Sequence, residues 1–424
     1  MSNGKPAALF VILTVFNGIA AADDWPQFRG PSRDAVWSET GILQTFPKDG
    51  LKVRWRDTVG PGWSSPVVAH GRVFVTDSEL VKPKAKERVL CFDEQSGKLL
   101  WAYTYEVDYP DWAFMPQYET GPSATPVAES GKVFVLGGSG QVICLDSKRG
   151  NLIWEKRLDK QYEVEVLKCR ASPLVDGNLL IVLVGGKPGA CVVAFDKNSG
   201  KEVWKALDDS VSNSSPIIIE AGGKRQLIVW TGESVSSLDP ATGKTWWRER
   251  MVTSNNDDIA TPVHDKSYLL ISGLMFKLAA EKPASTILWP DSKAALRRIL
   301  SNTSTGMIQG GHVYSAKSSG HFVCLEADTG EEVWESDKVT DLKGGASIHL
   351  TRQGDSVLMY NDKGELIRAK VDKNGYQEIS RARVLEPVYT YGGRKVTWSP
   401  PAFANRHIFA RNERELVCAS LAAD

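Results

Sequence analysis

The chain has no excess of either charge. Its 51 Lys and Arg balance 51 Asp and Glu, which argues against nucleic acid or an anionic membrane as its main partner. The six histidines, His70, His264, His312, His321, His349 and His407, show no metal-ligand spacing and mostly fall at turns. No glycine-rich turn leads from a strand into a helix to cradle phosphate, because Gly137-Gly138-Ser139-Gly140 sits in a β-turn. A nucleophile elbow is also missing. Sequence of helical period is scarce, so the composition, with 14 Trp and 37 Gly, points to an all-β chain.

Long apolar runs are missing except at the start. Met1 to Lys5 carries one positive charge, Ala7 to Phe16 is apolar, and Ala20-Ala21-Ala22 is a small-residue cleavage site. Residues 1–22 therefore read as a secretory signal, and about ten apolar residues are too few to span a bilayer, which takes ~20. The expectation is an exported protein, periplasmic or extracellular, with no transmembrane segment in the mature chain and most simply a monomer.

What the sequence does hold is a repeat. Val89-Leu90-Cys91-Phe92-Asp93-Glu94-Gln95-Ser96-Gly97, followed by Trp101, sets a pattern of apolar run, acid, glycine-closed turn and Trp. It returns at Asp146…Gly150…Trp154, Asp196…Gly200…Trp204, Asp239…Gly243…Trp247 and Asp328…Gly330…Trp334. Each copy reads as two strands joined by a hairpin, with Gly supplying positive φ. With Trp55 and Trp289 included, the tryptophans lie roughly 42 to 53 residues apart, close to the length of a four-stranded propeller blade. Blades open on Ser or Thr before Pro, at Ser65-Pro66, Thr125-Pro126, Ser172-Pro173, Ser215-Pro216, Thr261-Pro262 and Ser399-Pro400, where Pro costs no ladder bond. Two further repeats lack that mark, from Met307 to Trp334 and from Ser347 to about Ser380, the second with Ile379 where Trp is expected.

After Ser399-Pro400 only three strands fit, whereas Leu51 to Trp55 is an outer strand without a blade. Joining the two closes the ring without an open edge. The expected fold is an eight-bladed β-propeller of four-stranded antiparallel blades covering 51–424, after an N-terminal extension, 23–50, packed on it. Trp55, Trp101, Trp154, Trp204, Trp247, Trp289 and Trp334 are expected to pack between neighbouring blades. Cys91, Cys144, Cys324 and Cys418 share one register and read as buried thiols, while Cys169 and Cys191 break it, leaving a disulfide within one blade open.

This repeat, Gly-x-Val-x-Cys/Ala-Leu-Asp-x-x-Thr-Gly-x-x-x-Trp, together with the opening Asp24-Trp25-Pro26-Gln27-Phe28-Arg29-Gly30-Pro31, resembles the pyrroloquinoline-quinone-type (PQQ-like) propeller family. That family includes quinoprotein alcohol dehydrogenases and an outer-membrane assembly lipoprotein. The enzymes would imply a quinone in the central funnel, stacked on a Trp beside calcium, with an Asp base and an adjacent Cys pair; no such pair occurs here.

Long segments at 78–88, 102–121, 155–170, 248–260, 290–306 and 381–397 place the working face on one side of the ring. On it, Trp63, Arg170, Asn213, Lys343 and Trp398 are funnel candidates for a cofactor. Tyr103, Tyr105, Tyr109, Trp112, Phe114 and Tyr118 form an aromatic partner surface or pack the loop onto its blades, and Asn255, Asp257 and Asp258 offer oxygens to calcium. Asp291 to Leu300 reads as a short helix. Two functions follow: an exported non-catalytic scaffold that binds protein or ligand through this face, or a PQQ- and calcium-dependent oxidoreductase of alcohol or sugar type.

Overall fold

The computed structural model describes residues 24–115, 118, 120–252, 258–290, 299–301 and 303–423. Eight four-stranded antiparallel sheets form the ring. Seven are continuous in sequence, at 67–107, 127–157, 174–206, 217–250, 263–289, 307–336 and 348–383. The eighth combines Ala402–Ala404, His407–Arg411 and Glu415–Ser420 with Val53–Thr58 as its outer strand. Closure is thus the expected one, with Arg56 opposite Val417 and Thr58 opposite Glu415. The expected 291–300 helix falls mostly outside the described residues.

A one-residue irregularity recurs where the third strand meets the fourth. It sets Trp101 opposite Cys91, Trp154 opposite Cys144, Trp204 opposite Ala194, Trp247 opposite Ser237, Trp289 opposite Met275, Trp334 opposite Cys324 and Trp55 opposite Cys418. Such a bulge re-aims the side chain, and each ring reaches the next blade. Trp55 donates to Glu94 O at 2.8 Å, Trp101 to Ser147 O, Trp154 to Lys197 O, Trp204 to Pro240 O, Trp289 to Ala327 O and Trp334 to Asp372 O. The turn glycine serves as the floor for that ring. A Cβ on Gly97, Gly150, Gly200, Gly243 or Gly330 would stand 2.5–2.8 Å from the tryptophan of the preceding blade, and each has φ near +70°. The repeat therefore encodes the contact between blades as well as the hairpin within one.

The Ser/Thr-Pro mark has a second role. Ser65 N–H donates to Thr125 Oγ1 at 2.9 Å, Thr125 N–H to Ser172 Oγ at 3.0 Å, Ser172 N–H to Ser215 Oγ at 2.9 Å, and Thr261 N–H to Thr305 Oγ1 at 2.9 Å. Hydroxyls thereby tie neighbouring innermost strands around the channel and satisfy backbone donors that no ladder reaches.

The loop and tryptophan-register expectations need correction. Residues 78–88 are mostly paired strand, within Arg72–Val81 and Lys84–Asp93, and 102–107 belongs to Leu99–Val107; Tyr103 and Tyr105 are therefore strand residues. In blade seven, Ile379 is the bulged residue and Ser380 holds the Trp register, opposite Arg368. All six cysteines are free and buried. Cys169 and Cys191 face different inter-blade cores, which accounts for their not being bridged.

Candidate functional site

Residues 24–46 form a strap across the ring. Trp25 pairs with Val68 of blade one, Ala128 of blade two donates to Pro26 O at 2.8 Å, and Arg33 donates to Pro173 O (2.6 Å) and Ser172 O (3.1 Å) of blade three. The strap then reaches blade seven, where Arg352 N–H donates to Ala35 O and Trp37 N–H to Arg352 O, both at 2.8 Å. Crossing from blade three to blade seven floors the channel and turns it into a blind funnel.

The funnel encloses ≈ 640 Å³, and every blade contributes to its wall. An aromatic chain runs along one side. The Arg170 guanidinium lies 5.7 Å over the Trp63 ring, Trp63 meets Tyr389 at 5.7 Å between centroids, Tyr389 meets Trp398 at 5.3 Å, and Tyr391 meets Trp398 at 4.9 Å. The indoles are pinned from behind: Trp63 Nε1 donates to Glu413 Oε1 at 3.0 Å and Trp398 Nε1 to Gly345 O at 3.2 Å. Across the mouth stand Trp112 and Tyr118, 5.6 Å apart and both exposed. Phe28 and Trp25 belong to the floor.

Among the described residues, charge in the funnel has one sign. Arg29, Lys168 and Arg170 line it, and among the described lining residues there is no Asp or Glu. His349 adds no charge, since burial lowers its pKa to about 4 and Nε2 lies 2.9 Å from Trp398 O. Burial also lowers Arg29 to about 10, which leaves it cationic at neutral pH. A cationic cup with π-faces suits a ligand that carries both carboxylate and flat apolar groups.

Four of the five funnel candidates, Trp63, Arg170, Asn213 and Trp398, line this cavity, whereas Lys343 is exposed on a loop outside it. The aromatic set divides. Trp112 and Tyr118 reach the mouth, Tyr103 and Tyr105 pack on the core of blades one and two, and Tyr109 is buried with Phe114 against a separate small cluster. Asn255 and Asp257 lie outside the described residues. Asp258 is fully buried, and no group of three His, Cys, Asp or Glu among the described residues can hold a metal. Sequence reading passed over Tyr389 and Tyr391, although spacing of two before Gly392-Gly393 is the signal of a hairpin carrying both rings on one face.

A buried carboxylate positions Trp112. Glu87 accepts hydrogen bonds from the Tyr105 hydroxyl, from the Tyr109 hydroxyl at 2.6 Å and from Gly138 N–H at 3.1 Å. Tyr109 thereby anchors the Asp111–Phe114 turn. Desolvation outweighs these donors and raises the Glu87 pKa. The folded protein then holds that proton more tightly than the unfolded chain, so its contribution is full below the ordinary carboxylate range and is lost as pH rises through the raised value. Denaturant melts taken from the ordinary carboxylate range upward should show a downward slope from this group, and Glu87→Gln should flatten it. An unchanged slope in Glu87→Gln would assign the pH dependence elsewhere.

Residues 85–334 and 278–381 match the family model described as Outer membrane protein assembly factor BamB. The BamB of Yersinia pestis is 26% identical over 242 residues, 56% of this chain and 55% of that protein, so the chain spans about half the length of this curated relative. Among solved structures, BamB from Moraxella catarrhalis aligns with TM-score 0.56 at 16% identity, over 87% of this chain and 99% of the other. The quinohemoprotein alcohol dehydrogenase of Comamonas testosteroni aligns with TM-score 0.63 at 14% identity, over 95% and 81%; both likenesses concern the fold. With its model matched over well above half the chain, the protein belongs to the BamB family of PQQ-like propellers.

Proposed function

We propose that this chain is an exported, non-catalytic scaffold of outer-membrane-protein assembly, and that its funnel takes an extended protein segment bearing acidic and aromatic side chains. The carrying observation is the funnel's composition: three cations, a continuous aromatic wall and no lining carboxylate among the described residues. The exported state rests on residues 1–22, and the assembly role on the relatives' names. Around the mouth Trp112, Tyr118, Ile259 and Tyr391 are exposed together, an apolar rim of the kind that marks a protein contact.

The fold also admits a quinone reading. Arg29, Lys168 and Arg170 would suit the acidic groups of PQQ, but calcium takes 6–8 oxygen ligands, usually including carboxylates, and the described lining offers none. The donor set does not fit a calcium-held quinone.

The test is fluorescence anisotropy of a labelled, unfolded outer-membrane β-barrel chain titrated with the mature protein. Arg170→Ala and Trp398→Ala should each weaken binding about tenfold, ~1.4 kcal/mol. Absence of binding, together with calcium-dependent micromolar uptake of PQQ by calorimetry, would overturn the scaffold reading.

A further inference from the structure

The pairing of an uncharged residue with a tryptophan breaks at one blade. Opposite the tryptophan the other seven blades place Cys, Ala, Ser or Met, all uncharged, whereas blade seven sets Arg368 opposite Ser380. Room for a long side chain arises because Ser380 is small. Its Oγ accepts the Phe46 N–H of the strap at 2.9 Å, and Phe46 joins the inter-blade core in place of an eighth tryptophan.

Arg368 is 2% exposed and has no counter-charge among the described residues. Its Nη2 donates to Gln44 Oε1 at 3.0 Å and Gln353 Oε1 at 2.8 Å, both neutral. These oxygens are fixed toward it, since the Gln44 amide nitrogen donates to Ile42 O and that of Gln353 to Glu39 O. Nε and Nη1 meet no partner. A buried guanidinium left this way is destabilising unless something supplies negative charge.

Beside it lies a cavity of ≈ 680 Å³ between the strap and blade seven, which shares no lining residue with the funnel. Lys370, two residues along the same face of the strand, lines it with Thr40, Thr45, Ser356 and one acid, the exposed Asp355. We propose that this cavity is an oxyanion site of the phosphate class, with Arg368 as its recognition residue. A guanidinium charge that no described acid offsets, an ammonium and hydroxyls from both walls match the several acceptor oxygens of a phosphate group better than the two of a carboxylate. Bound there, the anion ties the strap to blade seven.

The experiment uses the purified mature protein at fixed ionic strength, with chloride exchanged for inorganic phosphate, and follows calorimetric binding and the melting midpoint. A parallel arm measures flotation with phosphatidylglycerol vesicles. Wild type should bind phosphate and melt about 2 °C or more higher in it, and Arg368→Met should lose both effects. In phosphate-free buffer Arg368→Met should melt no lower than wild type, because an uncompensated buried charge has been replaced by an apolar chain. Should that variant fail to fold, Lys370→Gln must weaken phosphate binding at least threefold. Vesicle binding without uptake of free phosphate, lost in the same variants, would support the site with a lipid headgroup as its source. Neither anion binding to wild type, or binding undiminished in the variants, would overturn the proposal.

Discussion

Deletion of Leu51–Arg56 should destabilise the whole ring rather than fray one end. The strand Val53–Thr58 is the outer strand of blade eight, and without it Glu415–Ser420 becomes an open edge with unpaired donors and acceptors. The same segment carries Trp55, whose indole crosses to the Glu94–Gly97 turn of blade one and whose ring sits in a core spanning blades seven, eight and one. The Arg56–Glu415 ion pair at 2.8 Å is exposed and adds little. The expected result is loss of soluble protein or a fall in melting midpoint of more than roughly 10 °C. Trp55→Ala alone should cost about 4 kcal/mol. Scanning calorimetry decides: an unchanged main transition beside a small early one would mean that the ring holds without closure.

That closure was legible because it is a matter of counting strands, and the blades because their turns are local chemistry. Part of the funnel was legible for a related reason. Residues just before Ser/Thr-Pro must enter the channel, which places Arg170, Asn213 and Trp398. The misses have distinct causes. Trp101, Tyr103 and Tyr105 alternate at period two, a strand signal, yet their aromatic density suggested a loop. Ser380 was displaced by a bulge that sequence periodicity cannot count. The strap's crossing rests on contacts such as Arg33 with Ser172 and Pro173, whose partners lie 139 and 140 residues away and leave no local mark.

The tryptophan series should divide according to the turn that each ring meets. Trp154, Trp204 and Trp289 are buried, rest on a glycine of the next blade and donate there, so truncation to Ala should cost about 3–5 kcal/mol each. Trp247 faces blade five, where the turn lacks the glycine; its indole donates instead to Gln226 Oε1 of its own blade at 2.9 Å, and the ring is half-buried. Trp247→Ala should therefore cost about half as much, ~2 kcal/mol. The reciprocal change tests the floor directly. Ala at Gly150 would set Cβ 2.6 Å from Trp101 Cδ2 at a φ of +73°, combining backbone strain with displacement of the ring, at about 2–4 kcal/mol. In a Trp101→Leu background much of that cost should vanish, leaving only about 1 kcal/mol of left-handed strain. Equilibrium urea melts of the double-mutant cycle measure the coupling. A coupling near zero would show that the glycine is needed for its hairpin alone, and that the repeat does not carry the blade-to-blade contact.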